Sequence, residues 1–223
     1  MISKLPAIPD SAADVAAWVE HSVRGILERL KVPRLYALLL HRSQELLSSR
    51  GETLYRSLVV LKHQGKVEKI GVSIYGPEEL DLIWPRYHLD LVQAPFNIID
   101  RRMAASGWLA RLHQAATEIH TRSAFLQGLL LMEAQDRPAT LNRWESLWSQ
   151  WHEWLREEAL DPVQACLSFA LSQPEIDRVV VGVDSLKQLQ ELLAVAADPE
   201  LKSPPILACE ELDLIDPSHW VRS

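Results

Sequence analysis

Short apolar runs alternate with amphipathic stretches along almost the whole chain, and this alternation constrains the fold more than any other feature. Ile2–Leu5 reads as a strand stub. Asp10 or Ser11 can cap a helix running to Leu30, whose Val15, Val19, Val23, Ile26, Leu27 and Leu30 recur at three- and four-residue steps. The unbroken apolar run Leu35–His41 fits a strand buried on both faces. The pattern then repeats: helix Thr53–Gln64, strand Val67–Val72, a Pro77-initiated helix, strand Leu89–Gln93, helix Met103–Ala116, and strand Glu118–Arg122. Gln127–Met132 opens an excursion, followed by a long helix over Leu141–Glu158 and another from Pro162 to Leu171. Val179–Val181 is the last strand and Ser185–Ala196 the last helix, and the tail after Pro199 is expected to pack on the outside.

Strands separated by helices are βα units, and βα units make a parallel sheet. Five clear strands and the stub fall about two units short of the eight that close a parallel barrel. An open doubly wound sheet is the alternative, but no Gly-rich phosphate loop follows any strand. The 223 residues suit one domain, 1–223, with a sizeable core.

Charge and cysteine content narrow the function classes. A net charge of −7 argues against a nucleic-acid surface, and no basic amphipathic face suggests a membrane. No apolar run is long enough to span a bilayer, and the N-terminal residues lack the apolar core of a signal peptide. Cys166 and Cys209 match no metal spacing and suggest inert thiols in a reducing, cytoplasmic setting.

In a parallel barrel the chemistry sits where strands end. Lys4, His41, Ser73, Gln93, Asn97, Arg122 and Ser123 all fall at or just past strand C-termini. Each alone has an ordinary structural explanation, such as a solvated lysine or a helix cap; their shared position is the signal. Trp144, Trp148, Trp151 and Trp154 form a helical stripe of the kind that usually packs a core, and no chemistry is assigned to it.

The segments ISKLPAIP, SVRGILERLKVPRLYALLLH, GKVEKIGVS, LVQAPFNIIDRR, RSAFLQGLL and DRVVVGVDSLKQLQELL, in this order and spacing, resemble the aldo-keto reductases from that family's third strand to its end. The resemblance implies a (β/α)8 barrel lacking about its first two βα units, and hydride transfer between NADP or NAD and an aldehyde or ketone carbonyl. It implies catalytic roles for Lys4 and His41 and contacts from Ser73 and Gln93 to the nicotinamide carboxamide. Arg122 stands where many members place an aromatic ring under the nicotinamide, and a guanidinium plane can also stack on a ring. Ser123, Phe125 and Gln127 would follow the pyrophosphate, and Gly182, Val183, Asp184 and Gln188 would meet the adenosine end.

The departures from the family pattern are specific. Ile74 replaces the asparagine that usually follows the serine, and Gln188 and Leu192 replace a basic residue and an asparagine. Lys187 is the cation nearest that segment, so both NAD and NADP stay open. The family's proton-donor tyrosine and its aspartate partner have no counterpart here; Tyr36, Tyr55, Tyr75 and Tyr87 stand elsewhere. The expectation is therefore a chain of impaired activity, with open strand edges able to associate with another copy. The alternative is a non-catalytic nucleotide-binding or regulatory protein on a degenerate barrel.

Overall fold

The computed structural model describes residues 1–199, 204 and 207–220. Six parallel strands succeed one another in chain order: β1 (Ile2–Leu5), β2 (Leu35–Leu40), β3 (Val67–Ser73), β4 (Leu91–Pro95), β5 (Glu118–Arg122) and β6 (Arg178–Val179). The stub at the start is thus a true strand, paired to β2 with Lys4 opposite Leu39. Two compact units are present: residues 1–94 with 111–119, and residues 95–110 with 120–223.

In the first unit the register explains how side chains stack. Ile2, Ala37 and Lys69 are in register, as are Lys4, Leu39, Gly71 and Leu91 one pleat on, and Ser73 pairs with Gln93 beyond them. Residues aligned in parallel strands share a face, so one face carries an apolar layer of Ala37, Leu39 and Leu91 beneath a polar rim. Helix α1 (Val15–Leu30) buries Val15, Val19, Val23 and Ile26, as its spacing predicts. Its cap is Asp14, whose carboxylate accepts from the Ala17 N–H, and not Asp10 or Ser11. Helix α2 (Gly51–His63) follows β2, and α3 (Glu78–Ile83) follows β3. Tyr36 lies within β2, and Tyr87 lies in the loop after α3, its hydroxyl donating to the Leu46 carbonyl.

Gly71 is the residue this packing demands. A Cβ there would lie 1.8 Å from the Leu91 carbonyl oxygen. Gly71→Ala must therefore push β3 from β4, and a loss of about 2–4 kcal/mol is expected in urea unfolding. A stability within 0.5 kcal/mol of the parent chain would contradict that close approach.

In the second unit, β5 and β6 pair as His120 with Arg178 and Thr121 with Val179. The helix expected over Met103–Ala116 is two short ones, α4 (Arg102–Ala105) and α5 (Trp108–Gln114), because the backbone turns left-handed at Gly107, φ 78°. The long tryptophan helix begins as a 3-10 segment, Ala139–Trp144, and continues as α6 (Glu145–Glu157). All four stripe tryptophans are buried, and Trp151 and Trp154 pack with ring centroids 5.6 Å apart. Packing is their role, as the spacing suggests. Asp161 caps α7 (Pro162–Leu171) and Ser185 caps α8 (Leu186–Ala197), followed by α9 (Leu212–Ile215). The described part of the tail adds buried Leu207, Leu214 and Ile215. Among the described residues no helix is long and apolar enough to cross a membrane.

Candidate active site and nucleotide site

Strand ends of the first unit bring three of the expected residues together. Lys4 sits one residue before the end of β1, its ammonium 3.4 Å from the Ser73 hydroxyl, and so donates toward it. Ser73 closes β3 and is directly opposite Gln93 on β4, both buried. The Gln93 carbonyl accepts from the Ile74 N–H at 2.9 Å. Ile74 is itself fully buried, so the position that would offer an amide offers a hydrocarbon instead. His41 follows β2 by one residue, anchored by its N–H to the Leu5 carbonyl, with its side chain exposed.

A buried carboxylate ties the two loops that leave these strands. Glu79 accepts from the Ser43 hydroxyl, from the Gln44 amide at 2.8 Å, and from the Tyr75 and Gly76 N–H groups at 2.5 and 3.3 Å. It thereby fixes the backbone just beyond His41 and just beyond Ser73. Nothing in the sequence sets Glu79 apart from neighbouring Glu78; only the fold selects it.

At the other end of the same face, Glu118 accepts from the Tyr36 hydroxyl at 2.6 Å and from the Lys69 ammonium, which lies 5.0 Å from the Tyr36 ring centre. Burial alone would lower the Lys69 pKa, but the hydrogen bonds and charge of Glu118 and Tyr36 outweigh it and hold it above the ordinary lysine value.

The second unit holds a cavity of about 640 Å3 at the ends of β5 and β6. This is within the size range of small-molecule and cofactor sites, about 300–1,000 Å3. Arg122, Ser123, Phe125, Gln127, Gly182, Asp184 and Gln188 all line it. Arg122 donates to the Ser123 hydroxyl at 3.2 Å. Ser123, Leu126, Gln127 and Gly128 all take positive φ, which rolls the chain into tight turns along the wall. Of the expected contacts here, Val183 alone is not among the lining residues and is exposed.

Asn97 holds these turns. It is fully buried; its side-chain oxygen accepts from the Ile99 and Asp100 N–H groups and its amide donates to the Ser123 carbonyl at 3.0 Å. The Phe96 N–H adds a bond to the Arg122 carbonyl. Both cysteines are unpaired thiols whose burial pushes their pKa up, in keeping with inert roles. Among the described residues no cluster of three or more His, Cys, Asp or Glu side chains could hold a metal ion.

The family model of the aldo/keto reductases matches residues 4–213, nearly the whole chain. The chain belongs to the aldo/keto reductase family. No curated protein sequence matches it. Among solved structures, the apo form of aldo-keto reductase AKR11C1 from Bacillus halodurans is similar over 94% of this chain and 73% of its own, with TM-score 0.69 and 15% identity. The PA4992 protein of Pseudomonas aeruginosa is similar over 89% and 67%, with TM-score 0.62 and 21% identity. The thermostable aldo-keto reductase Tm1743, solved with the inhibitor epalrestat, is similar over 88% and 65%, with TM-score 0.63 and 17% identity. These likenesses show the fold: this aldo/keto reductase chain is α/β, with the parallel six-stranded sheet of a partial (β/α)8 barrel. An oxidoreductase role follows from the family.

Proposed function

We propose that this chain is built for hydride transfer between NAD(P)H and an aldehyde or ketone carbonyl, in the cytoplasm, with Lys4 and His41 as its catalytic side chains. The Lys4–Ser73 contact, with Ser73 in register with Gln93, is the observation that carries this reading. It puts an ammonium, a hydroxyl and an amide at the ends of β1, β3 and β4. The cavity of the second unit supplies a wall of suitable size and polarity for the dinucleotide.

The bound nicotinamide would supply the hydride. The residues' own tasks follow from their chemistry. Ser73 and Gln93 offer donors and acceptors to a carboxamide. The Arg122 guanidinium offers a flat surface for a ring, and Ser123 and Gln127 offer polar groups beside the pyrophosphate. Lys4 would lower the pKa of a phenol placed beside it, and His41 would orient a carbonyl oxygen by a hydrogen bond.

On this reading no tyrosine takes the family's proton-donor role, and carbonyl reduction by residues 1–223 is expected to be slow. A positioned general acid contributes about 10²–10⁴ in rate. The test is incubation of the chain at high concentration with 4-deuterated NADH or NADPH and an aromatic aldehyde, followed by mass spectrometry of the alcohol. Deuterium above a protein-free control, lost in Lys4→Met, is the expected result. Deuterium at the control level throughout would remove the catalytic reading. It would leave the second one, a non-catalytic nucleotide-binding protein, which the buried Ile74 favours because it puts a hydrocarbon where the family offers an amide.

A further inference from the structure

We infer that the cavity of the second unit selects a dinucleotide without a 2′-phosphate, NAD(H) over NADP(H), and that Asp184, Gln188 and Glu191 set this choice. The inference rests on reading that cavity as the dinucleotide site. Two independent features of the α8 end carry it.

The first is charge. Asp184 and Glu191 both line the cavity, and Gln188 lies between them in sequence. Among the described lining residues Arg122 is the one guanidinium or ammonium, and it sits at the end of β5, hydrogen-bonded to Ser123. Lys187 is not part of the wall; it is exposed and lies 3.7 Å from the Glu191 carboxylate. A phosphomonoester carrying nearly two negative charges would meet two carboxylates there, and the Lys187 ammonium outside the wall is already turned to Glu191. A ribose 2′-hydroxyl, in contrast, is a donor that a carboxylate accepts well.

The second feature is the start of α8. A helix N-terminus can bind an anion through its unsatisfied N–H groups. Here the Gln188 N–H already donates to the Ser185 hydroxyl at 3.2 Å, and the Asp184 N–H donates to the Gln188 side-chain oxygen at 2.8 Å. Gln188 is folded back onto its own turn, so the residue in the place of a cation is committed to closing the helix end. The N–H groups of Asp184 and Gln188 are thus taken up by the chain's own side chains.

Calorimetric titration of the 223-residue chain with NADH and, separately, with NADPH tests this without any turnover. NADH is expected to bind at least about tenfold more tightly at low salt. The gap should narrow as salt screens the exposed Glu191 carboxylate. Gln188→Arg and Glu191→Gln should each narrow the preference for NADH over NADPH. NADPH binding as tightly as NADH overturns the inference while leaving the nucleotide site standing. Preference for NADH that neither variant alters overturns the assignment to these residues. Failure of both nucleotides to bind removes the nucleotide site and the inference together, so the two failures are distinguishable.

Discussion

Replacement of Lys69 by Met should destabilise the first unit by about 3–5 kcal/mol, because it takes the Lys69 ammonium away from the buried Glu118 carboxylate that accepts from it. Glu118 exposes only 8% of its side chain and Lys69 29%, so solvent cannot easily take over. Tyr36 remains as a hydrogen-bond donor to Glu118. The double variant Lys69→Met with Glu118→Leu should recover much of the loss, since an apolar filling removes the unpaired group altogether. The pH dependence has a definite sign. A lysine whose folded pKa is raised contributes stability that is intact below its ordinary pKa of about 10.4 and fades as pH climbs through the raised value. The gap between the parent chain and Lys69→Met should therefore stay constant from neutral pH to about 10 and shrink only above it. Urea unfolding across that range checks both points. A gap that closes between pH 7 and 9 would contradict the pairing.

Asn97→Ala is expected to act on both stability and the cavity. The substitution strands the Ile99 and Asp100 N–H groups and the Ser123 carbonyl, all three served by one fully buried side chain. Leaving such groups unsatisfied costs about 1–3 kcal/mol each before water or relaxation intervenes, so a loss of roughly 2–5 kcal/mol is expected. Ser123 has φ 63°, a conformation that needs support from its surroundings, so its release should also weaken nucleotide binding. Asn97→Asp separates the two effects. It keeps the acceptor oxygens for Ile99 and Asp100 but loses the amide that holds Ser123. Unfolding curves with parallel nucleotide titrations should show a smaller stability loss for Asn97→Asp than for Asn97→Ala, with weakened binding in both. Undiminished binding in both would show that Asn97 has no part in shaping the cavity.

Much of this architecture was legible because periodicity is a local property. The apolar run Leu35–Leu40 and the three- and four-residue steps of α1 state their own burial. Lys4, Ser73 and Gln93 could be singled out because strand ends are marked by where apolar runs stop, and β1 and β3 bring Lys4 and Ser73 into contact. What stayed hidden depends on register and on contacts far apart in sequence. Tyr36, Lys69 and Glu118 are scattered over three strands, and only the alignment of those strands makes them one network. Glu79 reads as a surface acid in the first turn of a helix until Ser43 and Gln44 are folded against it. The cap of α1 is not legible in the sequence because Asp10, Ser11 and Asp14 are all competent caps, and the choice among them rests on where the preceding loop lets the helix begin. The break within Met103–Ala116 turned on Gly107 adopting positive φ, which a helical glycine need not do.

We propose that the cavity bounded by Arg122, Gln127 and Gln188 holds a nicotinamide dinucleotide. Titration of the purified chain with NADH, followed by intrinsic tryptophan fluorescence, tests it most directly. Saturable quenching with a micromolar Kd, weakened severalfold by Arg122→Ala in a variant of unchanged stability, is the predicted result. A flat response up to millimolar NADH and NADPH would contradict the claim and leave a barrel-derived protein without a nucleotide site.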